Sequence, residues 1–176
     1  THDASAIPTV HFAHWKHRFV RDRARIQQNA WWQERIGKEA ARISTEVLDR
    51  LEKEGPLRAA DFEKERPAGG DNKWWGWSAQ KAALEWLWRS GEILVVRREH
   101  FQKFYDLAHR VLPDHHALPA SAPHELRDWA CLSALERLGV ATPRELSAFW
   151  NAVPLAEASA WAKEKLASGE LVEVEV

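Results

Sequence analysis

Apolar residues recur three and four apart along most of the chain, and that rhythm breaks at glycine, at proline or at a β-branched run. The most informative stretch runs from Lys73 to Pro113. Trp74, Trp75 and Trp77 open it, and Ser78 stands where a hydroxyl can accept the free amide hydrogens of a first helical turn. Ala83, Leu84, Leu87 and Trp88 then share one face. Ser90-Gly91 ends the helix, with Gly91 able to take the left-handed conformation of a C-cap. Ile93 to Val96 reads as a strand, and Phe101 to Leu107 can pair back on it as a hairpin. A helix running straight into a hairpin is the second half of a winged-helix domain, a variant of the helix-turn-helix.

The flanks carry the same periodicity. Thr1 to Thr9 reads as extended or irregular, with Pro8 as a breaker. Phe12, Trp15, Phe19 and Ile26 give a partial helical stripe, and Trp31-Trp32 follows. A helix is predicted from Glu39 to Glu54 on Ile43, Val47, Leu48 and Leu51, stopped by Gly55-Pro56. Leu57 to Glu65 reads as a short second helix, and residues 66–72 as a loop. Pro113 to Pro123, with three prolines and His115-His116, is the linker candidate. Beyond it, Leu126, Trp129, Leu132, Leu135 and Leu138 mark an amphipathic helix over Glu125–Leu138. Thr142-Pro143-Arg144-Glu145 combines a capping box with proline at the first helical position. A short helix to Trp150, another from Pro154 to Ser168, and an alternating strand over Glu170–Val176 complete the chain.

Two parts of this pattern repeat. Leu51-Glu-Lys-Glu-Gly55 matches Leu135-Glu-Arg-Leu-Gly139, and Ser90-Gly91-Glu92 matches Ser168-Gly169-Glu170; the first copy is six residues longer between its glycines. The expectation is a mainly α chain with small β-hairpin wings, an α+β fold of tandem winged-helix domains. Residues 1–35 are a helical lead-in, 36–113 a winged helix, 114–123 a linker, and 124–176 a second winged helix whose wing is truncated.

Composition adjusts this picture in three ways. Nearly half of the 176 residues are hydrophobic, enough for a true core, yet no run of 18 apolar residues would span a membrane and no signal peptide is present. The single Cys131 cannot form an internal disulfide, which suits a reducing, cytoplasmic setting. The absence of an initiator Met and the strand at the end without a partner read as an internal piece of a longer protein. Net charge is −1, so any nucleic-acid surface must come from local clustering. One cluster lies within His11–Arg25, five bases against the single acid Asp22.

The residues Lys73-Trp-Trp-Gly-Trp77, Lys81-Ala-Ala-Leu-Glu-Trp-Leu-Trp88, Gly91-Glu92, Arg97-Arg-Glu-His-Phe-Gln-Lys-Phe-Tyr-Asp-Leu107 and Val111-Leu-Pro113 carry a family likeness. They resemble the interstrand-crosslink-repair DNA glycosylases of the AlkZ and YcaQ group. Thr1 to Pro8 is similar to the segment that leaves that family's first winged helix. The resemblance covers essentially the whole chain. It implies three tandem winged helices and a C-terminal β domain in a C shape around DNA, with the second winged helix and part of the third in this chain. The implied activity is hydrolysis of N-glycosidic bonds in alkylated or crosslinked DNA, and the implied location is on the bacterial nucleoid. The family's catalytic motif is glutamine, an apolar residue, then glutamine or aspartate, in its first winged helix. Gln27-Gln28 are adjacent and in a different region, and Gln80 and Gln102 stand alone. No catalytic residue carries over, and the chain alone is expected to be inactive.

Candidate DNA-binding residues are Arg97, Arg98 and Lys103 on or near the wing, Lys16, Arg18, Arg21 and Arg25 in the basic stretch, Lys73 at the opening of the central motif, and Lys81 and Arg89 on the central helix. A wing favours arginine at phosphate or minor groove, although charge on a hairpin also protects an exposed edge. Lys81, Glu85 and Arg89 fall at i, i+4 and i+8, as a major-groove face or as an intrahelical charge ladder. Trp86, Trp88, Trp129 and Trp161 read as core; Trp74, Trp75 and Trp77 pin the loop or meet bases. His100 takes no separate role. His11, His14 and His17 sweep too wide an arc for one ion, so neither metal nor cofactor is expected. The expected partner is duplex DNA, bound weakly and without sequence preference. A non-catalytic tandem winged-helix module for transcription or protein contact is the alternative, and the upstream sequence discriminates the two.

Overall fold

The computed structural model describes residues 7–35, 39–65 and 78–175. The chain forms two compact units, Thr1–Pro119 and Ala120–Val176. It is mainly helical, with one small antiparallel sheet.

In the first unit, α1 spans Phe12–Gln27, α2 Ala30–Arg35 and α3 Ala40–Glu54. α3 buries Ile43, Val47 and Leu51, the four-residue step that keeps side chains on one helix face. Against it lies α4, Ala79–Arg89, with Ala83, Leu84, Leu87 and Trp88 in the same core. Ser78 caps α4, accepting the Lys81 N–H at 3.2 Å. Two short helices, α5 (Ala108–Val111) and α6 (Pro113–Ala117), end the unit. The first half of the expected linker is thus helical, and it meets α1: Lys16 Nζ donates to the His116 carbonyl at 2.7 Å and to the Leu118 carbonyl.

The segment Leu57–Glu65 corrects the expected second helix. Leu57–Arg58 is a strand, β1, followed by a 3-10 turn over Ala59–Glu65. Leu57 pairs with Tyr105 and enters the core, so its burial is won in a sheet. Asp61 holds the corner, accepting the Arg58 N–H at 3.0 Å and Arg58 Nε at 3.2 Å. β2 is Ile93–Glu99 and β3 Gln102–Leu107, giving the order β1-β3-β2. Helix, strand, 3-10 turn, helix and hairpin in this order are a winged-helix-like arrangement.

α4 stops at a Schellman-type cap: the Gly91 N–H reaches the Trp88 carbonyl at 3.2 Å and the Glu92 N–H that of Leu87 at 2.9 Å. Gly91 has φ +81°, and a Cβ there would lie 2.7 Å from Phe19 Cγ. This position therefore needs glycine twice, for its backbone and for the close approach of α1.

The second unit holds α7 (Pro123–Leu138), α8 (Pro143–Trp150) and α9 (Leu155–Ala167). The capping box forms as expected, with Glu145 accepting the Thr142 N–H at 2.7 Å and Thr142 Oγ1 the Glu145 N–H at 3.3 Å. The buried face of α7 differs from expectation. Leu126 is buried as expected, but Leu132 and Leu138 are half exposed, and Ala130, Cys131 and Ala134 are buried in their place. Trp161 of α9, 1% exposed, shares that core, and small residues on the facing helix make room for its indole. The strand expected over Glu170–Val176 does not form across the described 170–175. No neighbouring strand offers hydrogen bonds there among the described residues, and the Leu171 N–H turns back to the Lys165 carbonyl at 3.2 Å.

Candidate nucleic-acid interface

β2 runs three residues past its expected end, which moves Arg97 and Arg98 from a loop into a strand. Pairing steps from Val95–Tyr105 directly to Arg97–Phe104, leaving Val96 as a β-bulge. Strict alternation would set Arg97 on the same face as Val95, towards the core. The extra residue reverses this. Arg97 shares the outer face with Phe104 and Arg58, its guanidinium 4.0 Å from the Phe104 ring centroid. Glu99 holds Arg97 Nε at 2.7 Å, so its fork is oriented while half of the side chain stays exposed. Arg98 is exposed opposite Lys103.

The hairpin closes in two residues, His100 and Phe101, between paired Glu99 and Gln102. Both have positive φ, 46° and 64°. A turn of this hand favours Asn and Gly; other residues are strained there by roughly 1–2 kcal/mol each. Phe101 is 96% exposed.

Lys103 leads elsewhere. Its ammonium sits 3.9 Å from the Trp88 ring centroid and 3.4 Å from Glu85 Oε2, and Arg89 meets Glu85 Oε1 at 2.9 Å. Glu85, expected on a polar face, is buried and gathers a base from the hairpin and another from its own helix. This confirms the Glu85–Arg89 rung of the charge ladder. Lys81 is exposed at the start of α4. Trp88 is core and Trp86 is half-buried.

The basic stretch is likewise divided. Arg18 and Arg21 both approach Asp22, at 3.5 and 3.9 Å. Lys16 serves the carbonyls of His116 and Leu118 at the end of α6. Arg23 pairs with Glu92 and reaches the Ser90 carbonyl at 3.3 Å. Arg25 and Arg89, from distant parts of the sequence, line one open cleft of about 270 Å³ with Asp22, Ile26, Asn29 and Trp32. Lys73 and Trp74, Trp75 and Trp77 lie outside the described residues.

The second buried carboxylate, Asp106, accepts the Leu107 N–H at 2.8 Å and Arg110 at 3.1 Å. Glu85 and Asp106, the buried acids among the described residues, are thereby held by neighbouring bases and backbone. Burial pushes the Cys131 thiol up to about 11, so it stays protonated and inert at neutral pH. Among the described residues no group of three or more His, Cys, Asp or Glu could hold a metal ion. Nor is any helix there long and apolar enough to cross a membrane.

Sequence reasoning missed the bulge, the exposed Phe101 and the burial of Glu85. The one available signal was the two-residue turn itself, where His-Phe replaces the usual Asn-Gly.

A family model described as "DNA glycosylase AlkZ-like" matches residues 1–176. No solved structure matches the chain.

Proposed function

The chain belongs to the AlkZ-like DNA glycosylase family, and from that premise we propose that it is the duplex-holding part of an enzyme that repairs alkylated or interstrand-crosslinked DNA. The chemistry is hydrolysis of the N-glycosidic bond, which needs a positioned water and a group to activate it. The absence of a glutamine-apolar-glutamine or -aspartate motif supports a role in binding rather than in that step. Residues 36–113 act as one winged helix and 124–176 as a second with a truncated wing.

The observation that carries this reading is the bulged hairpin, which turns Arg97 outward, orients its fork and leaves Arg98 exposed beside it. Such a strand suits phosphate oxygens, which accept the paired N–H donors of arginine. Arg89 and Lys103, held by Glu85, contribute less, and so do Arg18 and Arg21, which share Asp22.

Fluorescence titration of a labelled duplex at two salt concentrations tests the proposal. Binding is expected no tighter than about 10⁻⁶ M near physiological salt, and independent of sequence. Arg97→Ala with Arg98→Ala lowers affinity and reduces the logarithmic salt slope by about 2, one for each phosphate no longer neutralised. Lys81→Ala with Arg89→Ala does less. A larger effect from the helix pair would replace the wing by an ordinary recognition helix. Release of an alkylated base from duplex by this chain, above buffer alone, would overturn the binding-only role.

A further inference from the structure

We propose that Phe101 is a wedge, an apolar ring that enters the minor groove and leans between two base pairs when the wing meets duplex DNA. The inference rests on the reading of the hairpin as a DNA contact and adds to it a residue and a mode of contact.

Three observations converge on this side chain. Phe101 is 96% exposed, so its ring contributes almost nothing to the core. It lies at the outermost point of the hairpin, beyond the last ladder pair Glu99–Gln102. Its backbone, with that of His100, takes the left-handed conformation that glycine or asparagine would adopt with less strain. Folding alone would favour Asn-Gly at these positions. A strained turn carrying a large ring in water is the pattern expected where a site is shaped for a partner rather than for stability.

The surroundings select the partner. Arg97 and Arg98 stand three to four residues away on the same hairpin, exposed, with Glu99 as the acid that orients Arg97. Cations flanking a protruding apolar tip match a groove walled by phosphates and floored by stacked bases. The arginines hold phosphates at the rim while the ring reaches inward. Phenylalanine is among the side chains that open base steps from the minor groove, because its ring stacks on the base faces that the opening uncovers. A two-residue turn is narrow enough to enter that groove, about 6 Å wide.

The test uses the full chain and a duplex of about 20 base pairs with one central 2-aminopurine, whose fluorescence rises on unstacking. The unsubstituted chain is expected to raise the signal as it binds. Phe101→Ala should abolish the rise and weaken binding about tenfold, in line with loss of one aromatic–base stack. The salt slope should stay unchanged, because a ring releases no counterions. Arg97→Ala with Arg98→Ala should do the reverse to the slope. The double substitution His100→Asn, Phe101→Gly supplies a second arm. It should raise the melting temperature by about 4–8 °C, as relief of strain at two turn residues would, while losing the fluorescence response. A Phe101→Ala chain with full affinity and full signal overturns the wedge, leaves the DNA reading standing, and turns the tip over to a protein contact. Absence of salt-dependent duplex binding by the unsubstituted chain overturns both.

Discussion

The two units end their last long helices in the same way and then part company. Ser90-Gly91 and Ser168-Gly169 make matching bonds: each serine amide reaches back four residues, to Trp86 at 2.8 Å and to Glu164 at 3.0 Å. Each serine hydroxyl caps the carbonyl three residues back at 3.1 Å. Both glycines are left-handed, at φ 81° and 79°. After the first, Ile93 enters a sheet because β3 lies alongside. After the second, Leu171 folds back and the chain runs on without a ladder among the described residues. A helix cap is a local device, complete within a couple of turns of chain; a strand is not, since its hydrogen bonds belong to a neighbour.

The sharpest way to break the comparison is at the two cores. Trp161→Ala should cost about 3–5 kcal/mol and Leu51→Ala about 2–5 kcal/mol in urea unfolding, since both side chains are fully buried. Hydrogen exchange should show the first loss within Pro123–Ala167 and the second within α3 and α4. The glycine pair comes next. Gly91→Ala meets Phe19 as well as the wrong φ, whereas a Cβ at Gly169 meets nothing within 4 Å. The expected costs are about 2–4 kcal/mol against about 1 kcal/mol; equal values would mean that α1 does not rest on that turn. Glu85→Gln follows, at about 1–3 kcal/mol. It should also tighten duplex binding and steepen its salt dependence, because Arg89 and Lys103 lose their counter-charge.

The smallest effect is at the cap of α8. Thr142→Ala should cost about 1 kcal/mol. The Thr142 backbone N–H, and then its hydroxyl, hold the Glu145 carboxyl below the ordinary carboxylate range. A depressed folded pKa contributes stability above the unfolded value, about 4.3, and loses it as pH falls through the lower folded one. Glu145→Gln should therefore flatten the acid limb of a melting-temperature profile and leave pH 7 to 8 parallel to the unsubstituted chain.

What could be read from the residues was whatever depends on near neighbours. The buried faces of α3 and α4, the Ser78 and Thr142 caps and the repeated glycines all follow from spacing over one or two turns. Glu85 could not be read that way, because its second partner, Lys103, arrives from another element and makes burial of the carboxylate tolerable. The bulge at Val96 escaped for a similar reason: Val95, Val96 and Arg97 have no local preference for skipping a partner, and β3 imposes it. On α7 the leucines promised a stripe, but the volume of Trp161 favours Ala130, Cys131 and Ala134 on the face that meets it. Phe101 was legible only as an oddity of turn chemistry.

The grip of Lys16 on the carbonyls of His116 and Leu118 has a consequence for how the first unit comes into being. It joins positions about a hundred residues apart, and Phe19 must likewise wait for Gly91. Contacts of such separation form late, since a long loop must close before they repay its entropy. At a synthesis rate of roughly 5–20 residues per second, α1 leaves the ribosome about 5–20 s before its last partner exists. For that interval its row of bases faces water and the polyanions around it, so the order of emergence exposes a cationic helix that the finished fold later occupies with carbonyls and carboxylates.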